Sequence, residues 1–129
     1  MDNTVVEYEP TGGGNPNFWT TFKGRYTLVP EEAAVFDKDV VMLSCTNDVQ
    51  IIGDCDLAAY TAGSAVATLP EECRPGKIVK VPVVANDGTE DRIAVLTVNL
   101  DGTITLPFDC TTGHVYFSGM NFNISDQWY

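Results

Sequence analysis

The chain has a single histidine, and any acid–base chemistry that needs an imidazole rests on it. A Ser-His-Asp mechanism sets that base beside a nucleophile presented by a strained turn. His114 follows Gly113 at the head of the strand-like run "HVYFSG", and no G-x-S-x-G elbow occurs. Its setting fits a surface or structurally hydrogen-bonded histidine better than a base. Glycoside hydrolysis needs two carboxylates that meet in space rather than in sequence. With 18 Asp and Glu, sequence alone singles out no such pair. No catalytic residues are assigned, and the chain is not expected to be an enzyme.

Metal chemistry has little to work with. The four cysteines, Cys45, Cys55, Cys73 and Cys110, show no two-to-four-residue spacing, and one histidine cannot complete a zinc set. They read as small buried apolar residues, reduced in a cytosol. Cys45 and Cys55 would face each other if their strands formed a hairpin. "NDGTED" (86–91) and "GDCD" (53–56) cluster oxygens without the spacing of a calcium loop, so both read as solvated turns. Gly12, Gly13 and Gly14 do not stand between a strand and a helix, as a phosphate cradle requires. "NIS" at 123–125 matches a glycosylation acceptor, which matters only in a secreted chain. No metal and no cofactor are expected.

The elements that must position these residues are strands. "VVMLSC" (40–45) alternates, with Val41, Leu43 and Cys45 on one face; "VQIIGDCDL" (49–57) follows "TND" as a second strand, bulged at Gly53. "AAYTAGSA" (58–65) reads as a loop. "VATLP" (66–70) is a short strand that Pro70 stops. "KIVKVPVV" (77–84) puts Val79, Val81 and Val83 on one face, with Pro82 marking an edge or a bulge. "RIAVLTVNL" (92–100) is apolar on both faces, which predicts a central strand. Asp101-Gly102 joins it to "TITL" as a hairpin. "FDCTTG" (108–113) reads as a turn, and "MNFNIS" (120–125) puts Met120, Phe122 and Ile124 on one face. Only "PEEAAVFDK" (30–38) has helix formers behind a proline, enough for a turn or two. Short strands between turn signals predict an all-β sandwich or barrel.

Composition sets the outer bounds. With 129 residues, 44 % of them hydrophobic, the chain is one domain with a core of its own. A net charge of −11 with seven scattered Lys and Arg disfavours nucleic acid and anionic membranes alike. No apolar run reaches the length of a membrane span. "MDNTVVEYEP" lacks the basic flank and apolar stretch of a signal peptide, so export by that route is not expected. "TGGGNPN" (11–17) divides the chain into an N-terminal arm and linker, 1–24, and a β-sandwich, 25–129. Trp19, Trp128 and Tyr129 suit either stacking on sugars or sealing an interface.

The order of these motifs carries a resemblance. "VATLPEECRPGKIVKVPVV", then "IAVLTVNLDGTITL", then "VYFSGMNFNI" resembles the C-terminal head domains of tail-fibre and receptor-binding baseplate proteins of tailed bacteriophages. The shared pattern is a strand ending in Leu-Pro, a turn, an Arg-Pro, a strand, a strand ending in Asp-Gly, and a closing aromatic strand. It spans about Val40 to Ile124. Cys73 departs from it, because a bulkier residue would be more typical before Arg-Pro. The resemblance implies a jelly-roll-like antiparallel β-sandwich, a homotrimer and a host cell-surface saccharide as ligand. It further implies a place in the virion, with other virion proteins met through the N-terminal segment. No catalytic or ligand-binding residue transfers by motif. Leu69, Pro70, Arg74, Pro75, Asp101 and Gly102 are expected to build a stiff turn, with Arg74 held against a carboxylate or carbonyls. A capsid fibre or decoration subunit without receptor role, and a carbohydrate-binding module, are the alternatives.

Overall fold

The computed structural model describes residues 23–117 and 120–124. Twelve strands run through them: β1 (Gly24–Thr27), β2 (Val29–Pro30), β3 (Ala34–Phe36), β4 (Val40–Leu43), β5 (Asp48–Ile51), β6 (Cys55–Tyr60), β7 (Ala65–Thr68), β8 (Val79–Asn86), β9 (Asp91–Val98), β10 (Thr103–Thr105), β11 (Cys110–Tyr116) and β12 (Asn121–Asn123). A 3₁₀ turn at Glu71–Cys73 is the one helical element among the described residues. The all-β class is as expected.

The strands form two antiparallel sheets. The small one has the order β1-β4-β5-β12, and the large one β2-β7-β10-β9-β8-β11-β6-β3. In the large sheet β8, β9 and β10 form a meander with β11 returning beside β8, the order of a Greek key. Its two edge strands, β2 and β3, are joined by a tight turn in which Ala34 N–H donates to the Glu31 carbonyl at 3.0 Å. The large sheet is therefore curled until it nearly closes, which leaves little open edge.

Four strands pass from one sheet to the other by bending. β1 runs on into β2 at Leu28, β3 into β4 at 37–39, β5 into β6 at 52–54, and β11 into β12 after Phe117. Such corners are how strands switch layers in packed sheets. A bend breaks the regular ladder, so its backbone groups need other partners. They find them on the neighbouring bends. Leu28 N–H donates to Asp39 O (2.9 Å), Ile52 N–H to Val40 O (3.0 Å) and Asp37 N–H to Asp54 O (3.0 Å). Asp54 N–H donates to the Asp37 carboxylate at 2.8 Å. Gly53 sits where two bends touch, and a Cβ there would lie 1.7 Å from the Lys38 carbonyl oxygen.

The inner faces of both sheets share one core. Tyr26, Val41, Leu43, Val49, Ile51 and Phe122 come from the small sheet, and Val66, Ala85, Leu96, Val98, Ile104 and Val115 from the large one. Phe117, fully buried at the fourth bend, stacks on Phe36 with centroids 5.4 Å apart. Each such aliphatic side chain contributes about 1.5–3 kcal/mol by leaving water.

Several expectations need correction. "VQIIGDCDL" is two strands in two sheets, and Gly53 marks the corner between them rather than a bulge. Residues 30–38 form no helix: Ala34–Phe36 is a strand laddered to β6, and that pairing outweighs the helix propensity of the Glu and Ala residues. "AAY" belongs to β6 and "CTTG" to β11, so both loops are shorter than expected. Cys45 lies exposed on the β4–β5 turn, while Cys55 is buried in the large sheet, so they do not face each other. β8 is an interior strand. Pro82 is tolerated because β11 ladders only Val84, Ala85 and Asn86 and leaves that flank of Pro82 unpaired. β9 is central as expected, yet its outer apolar residues are exposed.

Gly53→Ala is expected to cost about 3 kcal/mol, because a backbone carbonyl cannot yield as a side chain can; thermal or urea unfolding reads this directly. Burial pushes the Cys55 and Cys73 thiols up to about 12 and also raises Cys110. In the native protein a thiol reagent should therefore label Cys45 alone, and the other three should react only after denaturant is added.

Candidate functional site

The small sheet turns one face to the core and the other to solvent. Alternation along β4, β5 and β12 sends Met42, Asp48, Gln50, Asn121 and Asn123 outward. The register sets Met42 opposite Gln50 and Gln50 opposite Asn121, with Asp48 opposite Asn123. Between them and the β4–β5 turn lies a groove of about 350 Å³, lined by Met42, Leu43, Ser44, Thr46, Asp48, Gln50 and Asn121.

The turn that closes one end is internally fixed. Asn47 takes a left-handed backbone, φ 68°, which asparagine tolerates better than most residues. Asp48 N–H donates to Ser44 Oγ at 3.0 Å, and the Ser44 and Thr46 hydroxyls are 2.8 Å apart. The Asp48 carboxylate accepts from Thr46 Oγ1 (3.3 Å) and from Asn123 Nδ2 (2.9 Å). Asn123 also donates to Thr46 O at 3.1 Å, so the amide of the "NIS" motif is engaged. Gln50 and Asn121 make no side-chain hydrogen bond to another described residue, and each amide offers donors and an acceptor side by side. The groove thus sets two open amides, two hydroxyls and one ordered carboxylate around an apolar floor made by the Met42 side chain, while Leu43 turns its own side chain into the core. Among the described residues its lining holds one carboxylate, Asp48.

The sequence-derived candidates lie elsewhere. Of the residues expected in the turn, Leu69, Arg74 and Gly102 meet. Arg74 Nε donates to the Leu69 carbonyl at 3.0 Å, and Leu69 N–H donates to Gly102 O at 2.9 Å. Gly102 has φ +90°, and a Cβ there would lie 2.7 Å from Arg74 Nε and 2.8 Å from Leu69 O. Leu69 and Arg74 are thus tied to the Asp-Gly turn, and one Arg74 donor goes to a carbonyl. His114 has Nδ1 2.7 Å from Asp56 Oδ1 and Nε2 4.0 Å from Asp54 Oδ2, and it tilts against Tyr116. Among the described residues no hydroxyl or thiol hydrogen-bonds to its ring. Trp19, Trp128 and Tyr129 lie outside the described residues.

The groove residues were not singled out by sequence. Their only signal is the alternation in "DVQI" and "NFN", which places Asp48, Gln50, Asn121 and Asn123 on outer faces. No protein-family model matches the chain, and no curated protein matches it.

Both Asp-Gly-Thr turns carry a strongly stabilised carboxylate. Asp87 is held well below the usual range by the Thr89 N–H, the Thr89 hydroxyl and the Glu90 N–H. The Thr103 hydroxyl and then the Thr103 N–H lower Asp101 in the same way. A folded-state pKa below the unfolded one gives stability that is complete above the unfolded value of 3.8 and lost as pH falls below it. The Asp87→Asn/Asp101→Asn double variant should therefore lose less stability than wild type between pH 5 and pH 2. Urea midpoints across that range measure the difference.

Proposed function

We propose that this chain is a virion structural protein of a tailed bacteriophage, a tail-fibre or baseplate head, and that it binds host cell-surface saccharide in the groove of the small sheet. The observation that carries the reading is the open pair Gln50 and Asn121 beside Asp48, above Met42. Adjacent hydroxyls of a sugar ring present a donor and an acceptor close together, and a side-chain amide matches such a pair from one residue. Two amides directly opposite one another across neighbouring strands repeat that match at about 5 Å spacing. The apolar floor suits the C–H face of a ring. A rigid sheet beneath the groove reduces the ordering cost of binding. The motif order shared with phage head domains supports the same class of ligand.

The test is binding to polysaccharide extracted from candidate host cell walls, by calorimetry or by pull-down with labelled protein. The Gln50→Ala/Asn121→Ala variant should bind about tenfold more weakly, as expected for two lost hydrogen-bonding side chains. Its melting temperature should stay near wild type, since both side chains are outward. Equal binding by variant and wild type would remove the groove from the account. No binding of wild type to any host envelope fraction would remove the receptor role.

A further inference from the structure

Both edge strands of the small sheet, β1 and β12, join the rest of the chain beside the β4–β5 turn that closes one end of the groove. Lys23 N–H donates to the Leu43 carbonyl at 2.9 Å, and Ile124 N–H donates to the Asn47 carbonyl at 2.8 Å. Side chains reinforce both junctions. Lys23 Nζ donates to Asn47 Oδ1 at 3.3 Å, and Asn123 Nδ2 donates to Thr46 O at 3.1 Å. Residues 1–22 therefore attach on one flank of the groove and residues 125–129 on the other. Neighbouring strands lie about 4.8 Å apart, so the two junctions, three strand spacings across the sheet, are roughly 14 Å from each other with the groove between them.

Among the described residues the groove lining holds no aromatic ring, and its apolar surface is the Met42 side chain. Small-molecule sites combine a few placed polar groups with apolar and aromatic walls. This groove has the polar groups, and the rings stand just beyond the two junctions. Phe18, Trp19 and Phe22 fall within five residues of Lys23, and Trp128 and Tyr129 within five residues of Ile124. Trp19 and Trp128 are each four residues from their own junction. An extended chain covers about 3.3 Å per residue, so either indole can reach roughly 13 Å from its junction. That distance takes in the whole width of a groove laid over β4, β5 and β12.

We propose that Trp19 and Trp128 complete the saccharide site, each reaching the groove from its own flank and stacking on a sugar ring whose hydroxyls meet Gln50 and Asn121. The inference rests on the saccharide reading and adds to it the residues that supply the stacking. The C–H face of a pyranose is flat and apolar. An indole offers it a large apolar face, with an N–H at the edge for a hydroxyl. Two tethers attached on opposite flanks suit successive rings of a chain better than a single ring, so the ligand class is an oligosaccharide. Sealing a subunit interface is the competing role of the same aromatics, and the test separates the two.

Intrinsic fluorescence of the full chain reads this directly, because its two tryptophans are the two in question. Oligosaccharides released from candidate host cell-wall polysaccharide are titrated in, with calorimetry on the same samples. Emission should shift and saturate at the calorimetric midpoint. Trp19→Phe and Trp128→Phe should each leave one responding tryptophan. Trp19→Ala and Trp128→Ala should each weaken binding about tenfold, as the loss of a stacked ring does. Should either alanine variant fail to fold by circular dichroism, the wild-type titration and the phenylalanine pair decide the matter. Calorimetric binding that leaves the emission unchanged overturns the inference while the saccharide reading stands. So does binding that depends on the tryptophans but not on Gln50 and Asn121, which puts the indoles at another place. Emission that follows protein concentration and ignores saccharide assigns the tryptophans to an interface and also overturns it. No binding of wild type to any wall fraction removes both the inference and the reading beneath it.

Discussion

Gly53 lies against the Lys38 carbonyl so closely that no side chain fits between them. That approach is one of four bends by which strands leave the large sheet and enter the small one. A bend in a strand strands its own N–H and C=O groups, and a buried group without a partner costs more than a typical hydrogen bond contributes. Here the bends lie side by side and satisfy one another. The Leu28, Asp37, Ile52 and Asp54 amides all donate across the corner. The corner holds two sheets around one core, and both outer faces inherit their positions from it.

The two outer faces then divide the surface chemistry. The small sheet presents amides, hydroxyls and a carboxylate around a groove. The large sheet presents an apolar band between a lysine and a row of aspartates. In both, the strand period of two places alternate residues on the same face, and ladder register brings distant segments together. Asn121 reaches Gln50 because β12 pairs with β5 in the small sheet, although the preceding β11 belongs to the large one. The Asp-Gly turns serve the same frame. Gly102 alone can occupy the space between Leu69 and Arg74, which ties the proline corner to the β9–β10 loop.

Much of the strand pattern was legible in the sequence. Val79, Val81 and Val83 share a face as alternation requires, and Met120, Phe122 and Ile124 are all buried. The Asp-Gly pairs do end hairpins, because glycine accepts the positive φ those turns need. The switch between sheets was not legible. "VQIIGDCDL" stays apolar and alternating through the corner, since both sheets ask the same of their inward residues; only the approach of Lys38 separates β5 from β6. Ala34–Phe36 was hidden by its neighbours, whose helix propensity a three-residue ladder to β6 overrides. The groove was illegible for a different reason. Gln50 and Asn121 are far apart in sequence, and nothing in either segment states which strand it will pair with. His114 was read as a surface or structurally hydrogen-bonded residue, while its carboxylate partners on β6 and the bend before it depend on register.

Native-state hydrogen exchange, resolved by residue, tests the corner most directly. The account predicts that the amides of Leu28, Asp37, Ile52 and Asp54 exchange only through global unfolding, with the same free energy as buried ladder amides in both sheets. Exchange of the small sheet and the corner through a smaller opening, while the large sheet stays protected, would contradict it. The bends would then be a hinge between two separable units rather than the brace that makes them one.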